Sequence, residues 1–160
     1  MVDDETFKVK KSFGLTQNKM KSINRLIILT IVFSFLILIG AGHGIGVLGL
    51  IEILGLNEFF RGDVKFSLTG NYDDRLFTAA IFAAVGQIIL IVAYLKKLQL
   101  QKFKVIYAGL FILFFSYFIL TIDFFNSTLD SFSFWGGAPF LVSAILLLVK
   151  TIKNHRLALN

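Results

Sequence analysis

Cysteine is absent from the 160 residues and proline occurs once. The first absence excludes disulfides, thiolate nucleophiles and cysteine-ligated metals. Histidine is limited to two residues, His43 and one in the C-terminal tail. Scattered carboxylates around one histidine do not make a metal-ligand spacing or an acid–base pair. No nucleophile–base motif or cofactor fingerprint is present, so the sequence gives no ground for an enzyme and implies no cofactor. Inverted repeats of the transporter type are missing, as are Arg-rich helices of the voltage-sensor type. Charge is scarce too: Asp, Glu, Lys and Arg make up 16% of the chain, against roughly 25% in soluble domains.

What is present is apolar. Hydrophobic residues reach 56% and include 19 phenylalanines; soluble domains carry roughly 45–50%. The excess is gathered into long runs, and a run of about 20 helical residues crosses a hydrocarbon core of about 30 Å. Four such runs are predicted, over about 23–45, 76–95, 104–123 and 135–151. They imply an all-α membrane protein, a four-helix antiparallel transmembrane bundle. A basic tail over 1–22 precedes it, an outer segment over 46–75 joins the first two spans, and a short tail over 153–160 ends the chain. A signal peptide is not expected, because lysines and acids fill the first 22 residues and the following run exceeds a signal h-region.

The basic residues set the orientation. Six lie before or at the start of the first run, four between Lys96 and Lys104, and three from Lys150 onward, so 13 of the 16 fall on one side of a four-span threading. The other side has Arg61, Lys65 and Arg75 beside seven of the ten acids. The positive-inside rule then puts both termini in the cytoplasm of a cell (inner) membrane. The net charge of +6 is explained by this topology and implies no nucleic acid. Phe7, Val9, Phe13 and Leu15 among the tail lysines suit an anionic leaflet or a cytoplasmic partner.

The outer segment is the most individual stretch. Residues 46–56 either continue the first span or break from it near the glycines and pack over the bundle, and the break is favoured. Residues 60–69 alternate apolar and polar, the period of a half-buried strand. Phe132-Ser133-Phe134-Trp135 is a possible partner for that strand in a small β-containing outer cap. Gly136-Gly137-Ala138-Pro139 reads as a loop entering a helix, since proline suits a first turn. Asn126-Ser127-Thr128 matches a glycosylation pattern close to the membrane, where use is not expected.

Gly40, Gly42, Gly44 and Gly46 give small-residue spacings of four, which let membrane helices approach closely, or unwind. Ala79, Ala80, Ala83 and Ala84 are expected to receive them from the second span. His43, Glu52, Gln87, Tyr117 and Asp123 are the candidate polar or ligand residues; an amide such as Gln87 must find a partner in the low-dielectric interior. Function is expected to be that of a non-catalytic membrane subunit that meets lipids and another membrane protein or a second copy of itself. A solute, ion or lipid carrier using Gln87 and the glycine segment is the alternative, and a lipid-modifying enzyme ranks below it.

Overall fold

A computed structural model describes residues 20–41, 44–61, 66–96 and 98–159. It is mostly helical, with one small sheet. Helix α1 covers 20–35, and its buried residues Ile23, Ile27, Thr30 and Ser34 recur at helical spacing. The two hydroxyls are satisfied within the helix: Thr30 donates to the Leu26 carbonyl at 2.8 Å and Ser34 to that of Ile31 at 2.8 Å.

The helix expected over 23–45 therefore ends ten residues early. From Leu38 the chain forms a hairpin of β1 (Leu38–Ala41) and β2 (Gly44–Val47), antiparallel, with Leu38 opposite Val47 and Ala41 opposite Gly44. Glycine costs about 1 kcal/mol relative to alanine in a helix, so the glycine-rich run is a poor continuation of α1. Gly40 lies where a Cβ would come within 2.4 Å of Leu129, and a Cβ on Gly136 would come within 2.6 Å of Leu38. The hairpin thus lies flush against the helix that carries Leu129 and Gly136.

Helix α2 (Leu48–Arg61) leaves the hairpin directly and packs on α3 (Tyr72–Leu95). Helices α3 and α4 (Gln99–Leu120) form an antiparallel pair. They approach closely at Gly86 and Gly109, where a Cβ on either would come within 3.2 Å of the other's carbonyl oxygen. Asp73 and Asp74 occupy the first turn of α3, where acidic side chains complement the helix dipole.

Helix α5 (Thr128–Gly136) begins at Ser127, whose hydroxyl accepts from the Asp130 amide at 3.3 Å. Helix α6 (Ala138–Leu159) follows after Gly137, with Pro139 in its first turn. The α5–α6 pair is bent by 50°. The Tyr117 ring fills the break, 2.4 Å from where a Gly137 Cβ would stand.

Helix α3 and residues Leu100–Leu120 of α4 are each long and apolar enough to cross a membrane, and the bent α5–α6 pair would make a third crossing if it acts as one span.

The β cap also differs from expectation. Phe132–Trp135 lies in α5, because the Ser127 cap starts a helix there. Of the expected strand over 60–69, residues 60–61 end α2, 66–69 are irregular, and 62–65 lie outside the described residues. The strands fall instead where glycine alternates with aliphatic residues.

Two ends of the bundle can be told apart. At one, the start of α1 meets the end of α3, the start of α4 and the end of α6: Lys102 donates to Asn24 Oδ1 at 2.6 Å and to the Tyr94 carbonyl, Lys150 donates to Ser22, and His155 stacks near Phe103. At the other lie the start of α3, the end of α4, α5 and the hairpin.

Candidate functional site

The strongest polar assembly stands at that second end, around Arg75. This side chain sits in the first turn of α3 and is 2% exposed. A guanidinium has five N–H donors in a planar fork, and all five are used. Nε donates to the Gly70 carbonyl at 2.9 Å. One terminal nitrogen donates to the Ile119 carbonyl at 2.8 Å and to Asp130 Oδ1 at 3.0 Å. The other donates to Asp130 Oδ2 at 3.2 Å and to Asp123 Oδ2 at 3.1 Å. Asp130 is fully buried and bidentate, and it also accepts the Asp123 amide at 3.2 Å. One cation thereby fastens α3, the end of α4 and α5 together.

Neighbouring bonds extend this lock. The hydroxyls of Tyr72 and Ser133 share a hydrogen bond of 2.5 Å between α3 and α5. Tyr117 donates to the Phe134 carbonyl at 2.7 Å, and its ring lies among those of Phe134 and Phe140. Saturation of this kind suits a structural joint, because no donor of Arg75 is left for a ligand.

A smaller cluster lies midway along α3. Gln87 donates to Ser34 Oγ of α1 at 3.1 Å and to Glu52 Oε1 of α2 at 3.0 Å. The hairpin makes this possible by turning α2 back along α3, which brings Glu52 to the depth of Gln87. Glu52 is buried and no cation pairs with it among the described residues.

Of the five candidate polar residues, Glu52 and Gln87 come together. Asp123 and Tyr117 belong to the Arg75 end, and His43 lies outside the described residues, as does Gly42. Gly40, Gly44 and Gly46 are strand residues and form no helix–helix seam. Ala79 faces α4, whose Ser116 donates to its carbonyl at 2.7 Å; Ala83 continues that row toward Gly86. The Ala79–Gly86 row of α3 thus meets α4, where Gly109 is the matching small residue. Ala80 is buried and Ala84 half-buried on the same helix.

Arg75, Asp130 and Ser34 were not anticipated as site residues. The available signal was a lone arginine abutting an apolar run, with Asp123 and Asp130 on the same side of the threading. Among the described residues no group of three His, Cys, Asp or Glu side chains gathers where a metal could sit. Comparison with protein-family models, with curated proteins and with solved structures finds no match.

Proposed function

We propose that this chain is a non-catalytic integral membrane subunit whose outer end docks onto another membrane protein. In this reading α1, α3, α4 and α6 cross the bilayer in alternating directions, with the hairpin completing the first crossing. The end carrying Arg25, Lys96, Lys102, Lys104, Lys150, Lys153 and Arg156 faces the cytoplasm, as the positive-inside rule requires. The end built on Arg75 then faces outward.

The observation that carries the docking role is the contrast at the outer end between a saturated polar joint and bare apolar side chains. Phe125 is 93% exposed, Ile45 74% and Trp135 69%. These residues stand on the α4–α5 turn, β2 and α5, the parts that the Arg75 network and the hairpin–α5 packing hold in place. Exposed aromatics on a rigid frame are the usual anchors of protein interfaces.

Photo-crosslinking from positions 125 and 135 in native membranes tests this role. A discrete protein adduct from both positions is the expected result. Lipid adducts alone, from a chain that purifies as a monomer without companions, would remove the docking role.

A carrier role is the second reading, supported by the meeting of Glu52 with Gln87 midway along a membrane-length helix. Intramembrane ionisable groups mark solute and proton paths in many transporters. A Gln87→Leu protein that folds in vesicles but has lost solute or proton flux would support it, and unchanged flux would dismiss it.

A further inference from the structure

At the basic end, α1 and α6 diverge around a cleft of about 390 Å³. Its rim carries Arg25 from α1 and Lys150 and Lys153 from α6. Among the described residues no carboxylate lines it, and Arg25 and Lys153 meet no acidic partner. Its walls are apolar, formed by Leu26, Leu146 and Val149. Below the cations the same two helices continue as exposed aliphatic surface, with Leu29 and Val32 on α1 and Val142 and Ile145 on α6.

Three cations over a greasy cleft have a defined complement. An anion at the rim would gain from three neighbouring positive charges. A free inorganic anion would leave the leucine and valine walls in contact with nothing of their own kind. A molecule with a phosphate at one end and hydrocarbon behind it satisfies both parts. Basic pockets between membrane helices on the cytoplasmic side have the chemistry that anionic headgroups need.

We propose that the α1–α6 cleft binds one anionic phospholipid of the inner leaflet, with its phosphate held by Arg25, Lys150 and Lys153 and its acyl chains along the aliphatic faces below. Lys150 has a second tie. It donates to Ser22 across the cleft, which holds the two helices together at the point where the headgroup would sit. Arg25 and Lys153 are exposed and are the arms left for the lipid. The proposal rests on the membrane reading and its sidedness, and it is independent of the docking role.

The full chain, extracted in a mild detergent, can be titrated with phosphatidylglycerol and with phosphatidylcholine of the same acyl chains and read by native mass spectrometry. Retention of one phosphatidylglycerol in preference to phosphatidylcholine is expected. The Arg25→Gln/Lys153→Gln double variant, which leaves the Lys150–Ser22 tie intact, should lower that retention by at least about fivefold, the effect of roughly one cation near an anionic surface. Lys96→Gln/Lys104→Gln, on exposed residues of the same end outside the cleft, should leave it unchanged. Equal retention of both lipids, an unaffected double variant, or full displacement by inorganic phosphate at matched concentration would overturn the proposal. Alkaline extraction of the producing membranes separates the two failures: release of the chain into the soluble fraction would sink the membrane reading itself.

Discussion

Replacing Arg75 with alanine is expected to cost about 3–5 kcal/mol of stability, the range for removing one partner of a buried ion pair. The reason is what stays behind. Asp130 has no exposed surface and would be left buried with only the Asp123 amide to answer it. The carbonyls of Gly70 and Ile119 would lose their guanidinium donors as well. For a chain of this length the loss corresponds to a fall in Tm of about 10 °C, readable by a melt in detergent. Arg75→Lys should recover little, because one ammonium cannot reproduce a planar fork that reaches three elements. Asp123→Asn should cost much less than Asp130→Asn, since the Asp123 side chain is 52% exposed and that of Asp130 0%.

At the middle of α3 the two partners should respond in opposite ways. Gln87→Leu removes the amide that serves both Ser34 and Glu52 and leaves them buried without it, at a cost of about 1–3 kcal/mol. Glu52→Gln should be nearly neutral, because the new side-chain carbonyl can still accept from Gln87.

The sequence already contained much of this frame, though unevenly. Long apolar runs ended by lysines predict α3 and α4 well, because desolvated peptide groups leave few alternatives to a helix. Arg25, Lys102 and Lys150 could be assigned to one end from charge alone. The hairpin was less legible. Gly40, Gly44 and Gly46 satisfy a helix-packing spacing and a strand alternation equally, and only the fit of Gly40 under Leu129 and of Leu38 against Gly136 selects the strand. Those contacts join residues about ninety positions apart, beyond the reach of any local pattern. A separation of 55 positions hid the Arg75–Asp130 pair, whereas Gln87 announced its need for a partner without indicating which one. Glu52 became that partner only because the hairpin reverses the chain.

The central claim is a threading in which the Lys96–Lys104 link and the Asn126 turn lie on opposite faces of a membrane. A chain without native cysteines lets single introduced thiols report this directly. An impermeant maleimide applied to intact cells should label Asn126→Cys, while Gln101→Cys should label only after permeabilisation. Labelling of both positions from the same side, or of Gln101→Cys alone in intact cells, would contradict the account.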